Sequence, residues 1–145
     1  MELQTEYLGL PLRNPLVASA SPLSRKIDSV RRMEDAGIAA VVCYSLFEEE
    51  IHYGELSLDH YAPTGVAQSP KGDGLSPKSY LAHIEQLKAA VNIPIIGSLN
   101  GTTPGGWTEY SRQIAQAVAD ALELNIYYIA TDPEEEAADV EDRYL

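Results

Sequence analysis

Few side chains in this chain are of the types that do acid–base or covalent chemistry near neutral pH, and their spacing narrows what they can do. Three scattered histidines and the single cysteine, Cys43, show no metal-ligand pattern. Cys43 closes the apolar run Ala39-Ala40-Val41-Val42-Cys43, where a thiol serves as a small buried hydrophobe and has no partner for an internal disulfide. Asn125 is more informative. An amide can both donate to and accept from a bound heterocycle, and a buried strand rarely tolerates one that is unpaired, so Asn125 points to a pocket. The adjacent Tyr127 and Tyr128 can stack on a ring or donate a hydrogen bond, but neighbouring strand residues face opposite ways and only one of them can line an interior. A phenol with a pKa of about 10 is a poor base at neutral pH unless its site shifts it strongly. His52 and His60 fall in residues 48–74, a stretch with no clean period and several prolines and glycines. A loop of that length suits a lid over a site, although loop histidines more often face solvent.

These residues need a scaffold, and the hydrophobic pattern supplies one. Residues 3–12 alternate loosely around Gly9, which predicts two short extended pieces joined by a tight turn, a hairpin able to cap the bottom of a sheet. Residues 14–19, Asn-Pro-Leu-Val-Ala-Ser, predict a buried parallel strand, and residues 38–43 a second. Between them Ser24 is placed to cap a helix carrying Ile27, Val30 and Met33, with Gly37 as its stop. Ser76-Pro77 opens a second helix with Leu81, Ile84, Leu87 and Val91 on one face. Residues 92–101 make a third strand. Tyr110, Ile114 and Val118, spaced by four, make a third helix, and residues 121–126 a fourth strand. Thr131-Asp132-Pro133 is expected to start a last helix. Strands that alternate with helices and finish in Ser, Asn or Gly predict a parallel α/β sheet with its site at the strands' carboxyl ends, either half of a barrel or a small doubly wound sheet.

Bulk properties exclude several function classes. With 45% apolar and 22% charged residues the chain is an ordinary globular domain, taken as one unit over residues 1–145. A formal charge of −12 and a pI near 4.5 would repel phosphate backbones, so nucleic acid is not an expected partner. Much of the acidity lies in Asp132-Pro133-Glu134-Glu135-Glu136 and the residues after it, read as a solvated helix start. No apolar run approaches the roughly 20 residues that span a bilayer, and the N-terminus lacks a secretory pattern, so the expected location is the cytoplasm, away from membranes.

Particular words in the sequence go further. Residues 7–21 (Tyr-Leu-Gly-Leu-Pro-Leu-Arg-Asn-Pro-Leu-Val-Ala-Ser-Ala-Ser), residues 35–42 (Asp-Ala-Gly-Ile-Ala-Ala-Val-Val) and Ala121-Leu122-Glu123-Leu124-Asn125 together resemble class 1 dihydroorotate dehydrogenases. Ser45-Leu46-Phe47-Glu48-Glu49 and Ser98-Leu99-Asn100-Gly101 through Gly105-Gly106-Trp107 resemble the divergent dihydroorotate dehydrogenase-like branch. The resemblance covers nearly the whole chain in order. It implies the N-terminal half of a (β/α)8 TIM barrel, about four parallel strands with intervening helices behind a short hairpin. It also implies FMN as cofactor and the oxidation of dihydroorotate to orotate, in pyrimidine biosynthesis, by hydride transfer to the flavin while a base removes a proton. By the same resemblance Ser19 and Ala20 bring backbone close to the flavin ring, Ser45 contacts the flavin, and Asn125 reaches flavin and substrate. Two positions depart from the family. Tyr44 stands where the family has a lysine that contacts flavin and substrate, and Tyr128 where it has the catalytic cysteine or serine.

A typical barrel takes about 250 residues and binds phosphate through its last two strand loops. Four strands are therefore expected to lack the flavin phosphate site and to be inactive as a half chain. They would also leave sheet edges that favour self-association or pairing with a complementary half. The competing expectation is a non-catalytic half-barrel remnant or assembly partner, which Tyr44 and Tyr128 favour where dihydroorotate itself is the substrate. A third is a barrel for another heterocyclic or phosphorylated small molecule, with residues 48–74 as its lid.

Overall fold

The computed structural model describes residues 3–47, 77–101, 106–126 and 131–142. His52, His60, the Ser76 cap and both Tyr127 and Tyr128 lie outside the described residues.

The chain opens with an antiparallel hairpin, β1 (Thr5–Tyr7) and β2 (Leu10–Leu12), closed at the pair Tyr7 and Leu10. Its two turn residues, Leu8 and Gly9, both have positive φ, 54° and 74°, the backbone of a type I′ turn whose twist matches that of the flanking strands. Leu12 is the buried anchor that fastens the hairpin to the sheet.

Parallel strands follow. β3 (Val17–Ala18) pairs with β4 (Ala40–Val42), β4 with β6 (Ile95–Gly101), and β6 with β7 (Ala121–Ile126). A short β5 (Leu46–Phe47) continues from β4 along the same edge of β6. The strand order advances β3, β4, β6, β7 without the reversal that defines a doubly wound sheet. Right-handed crossovers in one direction place the connecting helices among the described residues on one face. Accordingly, Val30 of α1 (Ile27–Asp35), Tyr80, Ile84 and Leu87 of α2 (Pro77–Ala90) and Ile114 of α3 (Gly106–Gln116) share one buried cluster with Val41, Ile95 and Leu99. Full burial contributes about 1.5–3 kcal/mol for each such large aliphatic side chain. The opposite face carries a much smaller cluster of Leu12, Ala39, Ala40, Val42 and Ile96.

Local chemistry explains the joints. The turn after α1 is a Schellman motif: Gly37 takes φ +102°, its N–H donates to the Glu34 carbonyl, and the Ile38 N–H donates to the Met33 carbonyl. Asn14 ties the start of β3 to that turn through its amide, which donates to the Gly37 carbonyl, while its Oδ1 accepts the Leu16 N–H. At the amino ends of β6 and β7, Asp120 accepts the Ile95 N–H at 2.7 Å and binds Lys88 Nζ at 2.6 Å.

Three sequence expectations need correction. Ser24 does not cap α1. It sits within a 3-10 turn (Pro22–Arg25), and its hydroxyl accepts the Tyr44 N–H while donating to the Ser21 carbonyl, because a small hydroxyl serves a turn as readily as a cap. Thr131-Asp132-Pro133 does not begin the last helix. Asp132 makes a turn by accepting the Glu134 N–H, and α4 (Ala137–Glu141) starts later on a capping box between Glu136 and Asp139. Val118 does not extend the apolar face of α3. It lies past the helix end with φ 57°, 59% exposed, and buried Ala117 fills the last inward position. A β-branched residue is strained in that conformation. Val118→Gly is therefore expected to raise stability by about 1 kcal/mol in urea melts, since little packing is lost; a destabilised variant would refute the strain.

Among the described residues no helix is long and apolar enough to cross a membrane.

Candidate functional site

One face of the sheet carries no helix among the described residues, and this helix-free face turns polar toward the carboxyl ends of its strands. Along β6 the sequence Ile95-Ile96-Gly97-Ser98-Leu99-Asn100 alternates, so Ile95, Gly97 and Leu99 face the helices while Ile96, Ser98 and Asn100 face the other way. β7 does the same in register: Ala121 stands beside Ile96, Glu123 beside Ser98 and Asn125 beside Asn100. Parallel pairing thus places two carboxamides, a hydroxyl and a carboxylate side by side.

Ser45 joins them because of an irregularity in the neighbouring strand. Val42 is opposite Ile96 and Leu46 is opposite Leu99, so three residues of one strand, 43–45, face two of the other, 97 and 98. One extra residue is a bulge. Cys43 and Tyr44 consequently both turn into the helix-side cluster, and Ser45 returns to the open face. The bulge also opens the ladder at Ser98. Its N–H donates at 2.8 Å to the Tyr80 hydroxyl, which in turn donates to the Ser98 carbonyl at 3.1 Å. One phenol from α2 thereby satisfies both backbone groups that point at the bulge. Burial pushes the Tyr80 phenol well above its ordinary value and keeps it protonated for this double role.

The side-chain network has a definite direction. Ser98 Oγ donates to Glu123 Oε1 at 2.7 Å, so its one proton is committed, and the 2.9 Å contact with Ser45 must have Ser45 as donor. Asn125 Nδ2 donates to Glu123 Oε1 at 3.0 Å and lies 3.4 Å from Ser98 Oγ. Asn100 Oδ1 is buried with no hydrogen-bond partner among the described residues. Such an acceptor is costly to leave unmade, roughly 1–3 kcal/mol, unless something donates to it. Below this rim a cavity of about 500 Å³ opens between hairpin and sheet, with Val17, Val42 and Ile96 on its floor and Ser19 and Glu123 on its walls. That size lies within the range of small-molecule sites.

The residues singled out from the sequence are distributed unevenly around this cavity. Ser19 is exposed at the end of β3 and lines it. Ala20 packs against the small apolar cluster beneath. Ser45 and Asn125 are members of the polar network. Tyr44 is brought elsewhere. Its ring is 8% exposed on the helix side, edge-on to Tyr80 at 5.1 Å, with the Arg25 guanidinium over it at 4.7 Å. Tyr128, taken from the resemblance as the catalytic position, lies outside the described residues. Cys43 is fully buried and desolvation pushes its thiol up to about 12, so it is a packing residue and not a nucleophile. Tyr80, Glu123 and the partnerless oxygen of Asn100 were not read as site residues. Only the period-two alternation of β6 and β7, laid side by side, could have found the last two.

The sequence matches no protein-family model and is not significantly similar to any curated protein.

Proposed function

We propose that this chain is a dihydroorotate dehydrogenase-like barrel unit, the first four strands of such a barrel, whose polar rim receives the isoalloxazine of FMN. The observation that carries the reading is the network of Ser45, Ser98, Glu123 and Asn125 beside Asn100 Oδ1, which has no partner among the described residues, set above an apolar floor on the helix-free face. These residues fit the group. A flavin has a flat apolar ring system for the cavity's Val42 and Ile96 and an imide edge that pairs with carboxamides, which Asn100 and Asn125 supply side by side on β6 and β7 beyond the cavity's lining. The small side chains of Ser19 and Ala20 at the end of β3 leave room for a ring to approach the backbone. When bound, FMN would supply the hydride acceptor for a dihydropyrimidine. The chain's own part is to orient the ring, exclude water from its apolar side and hold the Asn125 amide through Glu123.

The second reading, a flavin-binding unit without dihydroorotate chemistry, is favoured by one observation: Tyr44, at the family's lysine position, is turned into the helix-side core and offers the site no cation. A single experiment tests both. Protein mixed with FMN and freed of unbound flavin is expected to stay yellow, and failure to retain flavin overturns both readings. Bleaching of the flavin band by anaerobic dihydroorotate decides for the oxidoreductase reading, whereas a band that persists is the outcome expected of an inactive half chain and of the second reading alike.

A further inference from the structure

Positive charge in this acidic chain is concentrated in one place. Four of its 10 Lys and Arg residues, Arg25, Lys26, Arg31 and Arg32, fall within eight consecutive positions, all four are exposed, and the only acid among them is Asp28. They border a cleft of about 840 Å³ on the outer side of α1 and α2, closed on the α2 side by His83 and Gln86. Among the described residues, internal pairing uses little of this charge. Asp28 lies 3.7 Å from Arg31, Arg32 reaches Ser29 Oγ at 3.4 Å, Arg25 rests on the Tyr44 ring, and Lys26 has no ion-pair partner among the described residues. His83 anchors the wall through Nε2, 2.7 Å from the Ser24 carbonyl, which makes that nitrogen the donor. The cleft is separate from the polar rim, which lies on the opposite face of the sheet.

The complementary surface is on the same chain. Residues 131–142 contain seven acids, Asp132, Glu134, Glu135, Glu136, Asp139, Glu141 and Asp142, and no base, and all but Glu135 are exposed. None of them lines the cleft. We propose that the basic cleft of one copy receives the acidic 131–142 segment of a second copy, a head-to-tail contact formed by charge. The overall charge of −12 does not prevent this. At physiological salt the screening length is about 8 Å, so whole-molecule repulsion is damped while charges in contact still attract. Such steering mainly raises the association rate and fixes which surfaces meet. A head-to-tail contact uses two different surfaces, so each copy keeps one of each free for further copies.

Sedimentation velocity of the full chain, with folding of each variant checked by circular dichroism, tests the proposal. Wild-type protein should associate at 50 mM NaCl, and the apparent dissociation constant should rise at least tenfold at 500 mM. Lys26→Glu/Arg32→Glu should abolish association, as should Glu134→Lys/Glu136→Lys, because each variant loses one side of the same contact. Mixing the two variants should restore a complex, since the intact cleft of one meets the intact segment of the other and the two reversed surfaces are again opposite in charge. Association that persists at high salt or in either variant would mean that a contact not made by these charges, such as pairing of sheet edges, joins the copies, and would overturn the proposal. A monomer at both salt concentrations, or folded variants that fail to rescue one another, would overturn it equally. None of these outcomes depends on flavin binding.

Discussion

Replacing Tyr80 by phenylalanine is expected to lower the stability of the fold by about 2–6 kcal/mol, measured as a shift of the urea midpoint at unchanged slope. The ring would stay where it is, fully buried and edge-on to Tyr44, so the packing contribution is retained. What disappears is a hydroxyl that serves the Ser98 N–H and the Ser98 carbonyl together. Both groups point at the bulge of residues 43–45, where strand pairing cannot supply a replacement. A buried backbone group without a partner costs about 1–3 kcal/mol, and here there are two. The same substitution at Tyr7, which is 51% exposed, should change stability by no more than about 0.5 kcal/mol. A loss below about 1 kcal/mol at Tyr80 would mean that water takes over the hydroxyl's task and that the bulge does not depend on α2.

Gly97→Ala should be destabilising by about 1–3 kcal/mol although it adds a single methyl group. Gly97 faces the helices in the middle of β6, and a Cβ there would overlap Ile114 Cγ2 with Ile84 close behind. Ile114 is 1% exposed, and Cγ2 branches directly from its Cβ, so the contact is not relieved by moving the flexible end of a side chain. α3 must shift outward or Ile114 must leave its rotamer, and either loosens the packing over β6 and β7. The double variant Gly97→Ala/Ile114→Val, which removes only Cδ1 at the end of the other branch and keeps the methyl that meets the new Cβ, should recover nothing. Gly97→Ala/Ile114→Ala removes the clash and should cost less than the sum of its two single changes. Strict additivity in that cycle would contradict the close approach.

The two substitutions mark where sequence reasoning reaches and where it stops. The hairpin around Leu8-Gly9, the helix opened by Pro77 and the strand at residues 121–126 could all be read from local pattern, because turn residues and periodicity act within a few positions. The bulge could not. One surplus residue in an apolar run leaves composition and alternation almost unchanged, yet it sends Tyr44 to the helix side and Ser45 to the open face. Caps misled for a related reason: Ser24 and Asp132 have the hydrogen-bonding capacity of helix starts and spend it on turns. Val118 continues a spacing of four beyond the point where its helix has ended. At the candidate site, Asn125 was identifiable by residue type. Its partner Glu123 and the neighbouring Asn100 became relevant only once the register of β6 against β7 was known, and register is set by long-range pairing.

The central claim is that the helix-free face, with its carboxamide and carboxylate rim, accepts a flavin. Its most direct test is a fluorescence titration of FMN with increasing concentrations of the full chain, repeated with Asn100→Leu and Asn125→Leu. Saturable quenching by the unaltered protein, with an apparent dissociation constant raised about tenfold or more by either leucine, is the predicted outcome; tenfold corresponds to about 1.4 kcal/mol, the size of one ring hydrogen bond. Flavin fluorescence that stays constant across the titration, or that is quenched equally by all three proteins, would contradict it.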